Sequence, residues 1–285
     1  MSETWTVRSI LAWAREWLGK KGVENPRLDA ELLLASALGC DRVRLYIDVD
    51  KPLSAAELAR FKPLIQRRGT REPVAYILGT KEFYGRPYEV GPGVFIPRPE
   101  TELLVRLVLE HLPAEGPFQA LDLCAGSGAV GISLAAERPQ GQVDLVELSP
   151  ETAAVASRNA ERHAPGRVRV FTGDLFAALP AKVRYHAIAA NPPYVPKVDG
   201  RTLPPDVVDH EPHLALFAGP DGLSVIRDLV AGLRDWLLPG GLFVTEIDPS
   251  QGAAVASMLS AAGLSQVRVE RDLSGLPRHV LGKGT

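Results

Sequence analysis

The sequence predicts an α/β protein: a doubly wound, mostly parallel sheet of seven strands, preceded by a small α-helical bundle. Three observations predict it. From Phe118 onward short apolar runs alternate with helical stretches, the pattern of parallel strands wrapped by crossover helices. Before about residue 78 the apolar spacing is helical throughout. Between the two lies GTKEFYGRPYEVGPGVFIPRPETE, rich in glycine, proline and aromatic residues. At 285 residues the chain exceeds a typical single domain. The expected division is a helical domain at 1–78, a linker with a β-hairpin at 79–98, and an α/β domain at 99–285.

In the first region Ile10, Leu11, Trp13, Ala14, Trp17 and Leu18 recur at helical spacing, with Gly19 and Gly22 as stops. The three tryptophans Trp5, Trp13 and Trp17 are read as helix packing. A second helix takes Asn25 as its cap and Pro26 in its first turn, runs through LDAELLLASAL and ends at Gly39. A third begins at Ser54, whose hydroxyl and Glu57 three residues on form a capping box. RRGTR at 67–71 contributes to a net charge of about +3 over residues 1–80 and is read as a solvated helix end in preference to a docking patch. EFYGRPYEVG alternates as a hairpin does. Strands follow near 119–123, 143–147, 168–172, 186–190 and 241–247, with weaker ones near 267–271 and 278–282.

Thirty-two basic against thirty-four acidic residues leave a net charge of −2, so no overall positive field draws the molecule to nucleic acid or anionic lipid. No membrane association and no stable nucleic-acid complex are expected. Cys40 and Cys124 make neither a CxxC pair nor a disulfide framework, and the amino-terminal MSETWTVRSILAWAREW carries charges through its apolar stretch. The expected setting is the cytoplasm.

The first strand of the α/β region runs into DLCAGSGAVG, where Cys124, Ala125, Gly126, Ser127 and Gly128 make a tight turn that brings a ligand close to backbone and to a helix amino terminus. Gly126, Gly128 and Gly131 also satisfy GxGxxG, with Glu147 about 21 residues on, so this motif alone does not exclude a dinucleotide. Asp122, one turn earlier, decides: a carboxylate there repels a pyrophosphate and suits a cation. S-adenosylmethionine has a cationic amino group and sulfonium. Glu147 at the end of the second strand suits its ribose hydroxyls, Asp174 in GDLF its adenine amino group, and Leu175 and Phe176 supply apolar cover. The three acids, each at a strand end, trace one crevice along the sheet.

Asn191, Pro192, Pro193 and Tyr194 follow the fourth strand and so share that edge. An amide nitrogen is a poor nucleophile because its lone pair is delocalised. The Asn191 side-chain oxygen and the Pro192 carbonyl can each accept one N–H of a planar NH₂ group and turn its nitrogen toward the sulfonium, the prolines keep those acceptors rigid, and Tyr194 offers a ring face. Asn191 thus borders both cofactor and substrate.

With these residues assembled, the chain resembles the protein-glutamine N5-methyltransferases that modify peptide chain release factors, the HemK or PrmC type. REPVAYILGTKEFYG, VFIPRPETELLV, DLCAGSGAVGISLA, VELSPETAAVASRNA, GDLF, NPPYVP, EPHLALFAG and LLPGGLFVTEI carry the resemblance over nearly the whole length. It implies a Rossmann-like class I S-adenosylmethionine-dependent methyltransferase domain, a helical domain that helps dock the substrate, and as substrate the glutamine of the GGQ motif in class 1 release factors. Two departures stand out: Cys124 where such enzymes usually carry glycine, and Leu175 where relatives are often aromatic.

Three rivals compete with this reading. A nucleic-acid amino methyltransferase of the adenine-N6 type would present the same NH₂ to NPPY but should show a basic groove. A nicotinamide-dependent oxidoreductase shares the glycine fingerprint, and a non-catalytic release-factor or ribosome partner could keep the fold. No metal is expected: His210, Glu211 and His213 in DHEPH are too close in sequence to converge on one ion and match an ordinary loop of the family.

Overall fold

The structure, a computed structural model, describes residues 4–180 and 183–285. The chain forms two compact units, one of residues 1–80 with 204–210, the other of residues 81–203 with 211–285.

The first unit is a helical bundle of α1 (Val7–Lys20), α2 (Pro26–Leu38), α3 (Arg42–Ile47), α4 (Ala55–Gly69) and α5 (Val74–Leu78). Its core is apolar, with Leu18, Leu33, Leu34, Leu45, Phe61 and Ile65 buried. The capping box at Ser54 forms as expected, with Glu57 N–H donating to Ser54 Oγ at 3.2 Å and Ser54 N–H to Glu57 Oε2 at 2.7 Å. Gly39 closes α2 in the left-handed conformation, whereas Asn25 holds the N-cap position without a side-chain hydrogen bond. Gly19 does not stop α1, which runs one residue past it before Gly22 turns the chain at φ +75°.

A hairpin of β1 (Thr80–Phe83) and β2 (Arg86–Glu89) follows, all but its first residue in the second unit, turned by Tyr84 and Gly85 at φ +49° and +71°, the pair of positive values a tight two-residue hairpin requires. Residues 81–98 are therefore built into the α/β unit: Tyr88 is fully buried and its hydroxyl lies 2.7 Å from Ser133 Oγ. Then come α6 (Glu102–His111), β3 (Phe118–Leu123), α7 (Ala129–Glu137), β4 (Gly141–Glu147), α8 (Pro150–His163), β5 (Val168–Thr172), β6 (Tyr185–Ala190), α9 (Pro205–Val208), α10 (Ser224–Trp236), β7 (Leu237–Glu246), α11 (Gly252–Ala261), β8 (Ser265–Arg271) and β9 (Pro277–Lys283), of which α9 belongs to the helical unit. All seven strands read from the sequence form one sheet in the order β5-β4-β3-β6-β7-β9-β8. The first five pair in parallel and β9 is antiparallel to both β7 and β8. Apolar residues on both faces of the central strands fill two core layers, one under α6 to α8 and one under α10 and α11. No helix among the described residues is long and apolar enough to cross a membrane.

RRGTR is not a solvated helix end. Arg68 is 4% exposed and donates from Nε to Asp29 Oδ2 and from Nη2 to Asp206 Oδ2, each at 2.6 Å. Arg71 pairs with Asp206 and the Gly22 carbonyl, and Arg67 with Glu72. A buried guanidinium needs carboxylates around it. Here one of them comes from a segment 138 residues away, which no local pattern reveals.

Candidate active site

Chain order reverses between β3 and β6: the connection out of β3 runs to β4 on one side, while β6 lies on the other. Open α/β sheets bind ligands at such a point, outside the carboxyl ends of the strands. Leu123 is the register partner of Ala190, so DLCAGSG and NPPY leave the sheet side by side. Leu123 also pairs with Val146, and Ala190 with Thr245, which brings Glu147 and Glu246 to the same rim.

The glycine loop is held from both flanks. Glu147 accepts Gly126 N–H at 2.8 Å through Oε2 and Ser149 N–H at 2.9 Å through Oε1, while Asn159, fully buried, donates to the Ser127 carbonyl at 2.9 Å. Gly126 lies at φ +57°, and a Cβ built there meets open space. Ser127 Oγ is buried without a hydrogen-bond partner among the described residues. Cys124 stands at φ +59°, a left-handed conformation that glycine adopts freely and that a side chain adopts at a cost of about 1–2 kcal/mol. Burial pushes its thiol above the ordinary range, and the carboxylates of Glu147, Asp122 and Asp174 push it further.

Their roles divide, however. Asp122 is 1% exposed, and its Oδ2 accepts Gly131 N–H at 2.8 Å. Its side chain turns inward to the first turn of α7, so it fixes the loop instead of facing a ligand. Burial, partly offset by that hydrogen bond and reinforced by Glu147, pushes its pKa up to about 7. Asp174 is exposed just past the carboxyl end of β5, and its side chain makes no capping hydrogen bond to the turn that follows. Leu175 follows at φ +42° and is half-buried. Phe176, expected beside it as cover, instead stacks on Trp236 with ring centroids 5.7 Å apart, over Gly232.

Asn191 Nδ2 donates to Thr101 Oγ1 at 3.1 Å, and Thr101 Oγ1 donates to Glu246 Oε2 at 2.7 Å. The Tyr194 hydroxyl donates to Glu246 Oε1 at 3.2 Å. Burial first, then Glu246, raise the Tyr194 phenol well above its usual value, so it stays a donor. His279, fully buried, has its Nε2 3.6 Å from Glu246 Oε2, beyond hydrogen-bond reach. The backbone after NPPY is clamped: the Tyr194 carbonyl accepts Gln251 Nε2–H at 2.9 Å, Val195 N–H donates to Leu216 O at 2.9 Å, and Ala218 N–H to Val195 O at 3.0 Å. Pro192 is buried and Pro193 half-buried, so neither residue is free to swing.

Thr101, Glu246, Gln251 and His279 were not singled out by sequence reasoning. For Thr101 a signal existed, because it lies in IPRPETE. Glu211, from DHEPH, accepts Ile96 N–H at 3.1 Å and pairs with Arg98, so that acid anchors the same IPRPETE segment. Among the described residues no group of three or more His, Cys, Asp or Glu stands ready to hold a metal ion.

Two family profiles match the chain, "PrmC N-terminal domain" over residues 9–79 and "Methyltransferase small domain" over residues 91–203. The chain is 44% identical over 281 residues to a release factor glutamine methyltransferase of Geobacter sulfurreducens, covering 99% of this chain and 98% of that protein. It is 42% identical to one of Mycolicibacterium smegmatis, covering 96% of each, and 38% identical to one of Koribacter versatilis, covering 98% of each. A methyltransferase structure from Pyrococcus furiosus shares the fold at 19% identity and a TM-score of 0.52, over 79% of this chain and 98% of that one.

Proposed function

The chain belongs to the release factor glutamine methyltransferase family, and on that premise we infer that it transfers a methyl group from S-adenosylmethionine to the side-chain nitrogen of a glutamine in a peptide chain release factor. The observation that carries the reading is the pairing of Leu123 with Ala190, because it sets an amide-gripping loop beside a nucleoside-binding one. Within this proposal the glutamine is that of the GGQ motif of class 1 factors and the methylated atom is N5. The cytoplasmic setting and the absence of a stable nucleic-acid complex rest on cysteine use and charge balance.

The residues at the glycine loop fit the cofactor. The open space beside Gly126, the unpartnered Ser127 hydroxyl and the acidic surroundings of Cys124 together make a small, polar, cation-tolerant cradle. Bound there, S-adenosylmethionine supplies an electrophilic methyl group on a sulfonium. The N–H groups of Ala125, Gly126 and Gly128 are taken by the Val146 carbonyl, Glu147 and the Ala125 carbonyl, so the Ser127 N–H is the one proposed to meet its carboxylate. Glu147 keeps lone pairs for ribose hydroxyls beyond the two backbone donors it already satisfies. Asp174 and Leu175 are proposed to take the adenine edge and face.

On the substrate side Asn191 Oδ1 and the Pro192 carbonyl hold the two N–H groups of the glutamine amide. That grip fixes the plane of the amide, concentrates electron density on nitrogen and needs no strong base. Tyr194, fastened by its hydroxyl to Glu246, sets a ring against which the flat group lies. Replacing Asn191 by alanine should lower transfer at least about 100-fold while cofactor affinity stays within a few-fold. Mass spectrometry of a release factor incubated with enzyme and labelled cofactor reads the transfer. Label found in RNA or DNA instead would overturn the substrate assignment.

A further inference from the structure

We propose that Thr101 and Glu246 are positioning residues that fix which way the Asn191 amide points, and so make the site select a hydrogen-donating amide over a carboxylate. The inference rests on the reading of Asn191 given above and concerns residues that touch neither substrate nor cofactor in it.

The argument is one of proton counting along a buried chain. Glu246 is 1% exposed at the end of β7, and its carboxylate has oxygens but no hydrogen to give. Both hydroxyls that reach it must therefore donate: Thr101 to Oε2 at 2.7 Å and Tyr194 to Oε1 at 3.2 Å. A threonine hydroxyl has a single hydrogen. With that hydrogen committed to Glu246, Thr101 Oγ1 can only accept from Asn191, and Nδ2 lies 3.1 Å from it. The opposite flip of the Asn191 amide would set two acceptors face to face beside a residue that is 3% exposed, where no water relieves the repulsion. The Asn191 amide is thus locked with Nδ2 inward and Oδ1 outward. An outward Oδ1 accepts an N–H and repels an oxygen. A glutamine side chain meets that demand, and the glutamate formed by its deamidation does not.

Four features keep the chain rigid. Thr101 N–H donates to the Arg98 carbonyl at 3.1 Å, Glu211 holds Ile96 and Arg98, Gln251 holds the Tyr194 carbonyl, and β7 pairs with β6 up to Thr245 and Ala190. Thr101 and Glu246, 145 residues apart in sequence, are fixed on separately braced elements.

The test compares Thr101→Val, which keeps shape and removes the hydroxyl, with Thr101→Ser, which restores it, and with Glu246→Gln, whose NH₂ can donate to Thr101 and release its hydrogen toward Asn191. Expected for Thr101→Val is a fall in kcat of at least about 10-fold, with cofactor Kd within twofold of wild type and Tm little changed; for Thr101→Ser, turnover within about threefold of wild type. Glu246→Gln should lower kcat and strengthen inhibition by a copy of the factor carrying glutamate at the methylated position. Independently of turnover, the ¹⁵N side-chain amide resonance of Asn191 should show slowed hydrogen exchange in wild type and in Thr101→Ser, and fast exchange in Thr101→Val. Wild-type kcat together with unchanged Asn191 exchange in Thr101→Val would overturn the proposal, as would a loss of kcat matched by equal losses of cofactor affinity and Tm. Failure of the wild-type enzyme to label any release factor would instead overturn the functional reading, while the exchange measurement would still decide the relay.

Discussion

Cys124 and Asp122 bracket the turn out of β3, and each spends stability on it in a different way. Cys124 holds φ +59°. Exchange for glycine relieves about 1–2 kcal/mol of left-handed strain and loses a similar amount in side-chain contact and chain entropy, so Cys124→Gly should leave Tm nearly unchanged. Cys124→Val, with a branch at Cβ, should lower stability by about 2 kcal/mol or more, read by urea unfolding. Asp122 makes a prediction in pH. Its folded pKa, pushed up to about 7 by burial, exceeds the ordinary value of 3.8. Between those values the folded state holds a proton that the unfolded chain has released, so stability falls as pH rises through that window. Asp122→Asn keeps an acceptor for Gly131 N–H and cannot ionise. Relative to wild type it should therefore gain stability steadily from pH 4 to pH 7, by up to a few kcal/mol at about 1.4 kcal/mol per unit, and level off above. A difference independent of pH would show that Asp122 stays ionised in the folded protein.

At the scale of elements, the NPPY segment depends on a glycine that is 28 positions from Tyr194 along the chain. Gly222 lies at φ +74°, and a Cβ there would sit 2.1 Å from the Tyr194 carbonyl oxygen and 2.7 Å from Gln251 Nε2. Gly222→Ala should therefore push NPPY off its clamp, cost about 2 kcal/mol or more in stability and reduce kcat more than it weakens cofactor binding, which calorimetry and initial rates resolve. The strands were legible because each is a short apolar run bounded by glycine, proline or an acid, and the loops that follow them carry glycine and proline at defined spacing. That is why β3 to β9, the DLCAGSG turn and NPPY are readable from the sequence alone. The relay was not legible, since Asn191, Thr101 and Glu246 meet only through tertiary packing across separations of 90 and 145 residues. Asp122 misled for a related reason: its position at a strand end is visible in sequence, whereas the face its side chain takes is set by pairing. Phe176 was misplaced likewise, because the pull of Trp236 on α10 comes from a partner 60 residues on.

The whole molecule has an arrangement of chain that composition hides. The helical unit is completed by Pro204–His210, which the chain contributes after it has already built four parallel strands of the sheet. Asp206 in that excursion shares Arg68 with Asp29, in the interior of the helical unit. Arg68→Ala would leave Asp29 without its cation and Asp206 with Arg71 alone, and should cost the helical unit about 3–5 kcal/mol, whereas surface changes such as Arg8→Ala at its exposed pair with Asp50 should leave stability close to wild type. Hydrogen exchange in α2 and α4 localises the loss. Faster exchange spread evenly over both units would show that the ion cluster does not belong to the bundle.

That excursion bears on how the protein can be dissected. Cutting the gene after codon 80 would not yield two self-sufficient halves: the amino-terminal fragment would lack seven residues of its own fold, and the remainder would carry them as an orphaned loop. Fragment complementation, or a graft joining 204–210 to the bundle by a short spacer, is the way to obtain the bundle alone, and a plain truncation is expected to yield a loosened one.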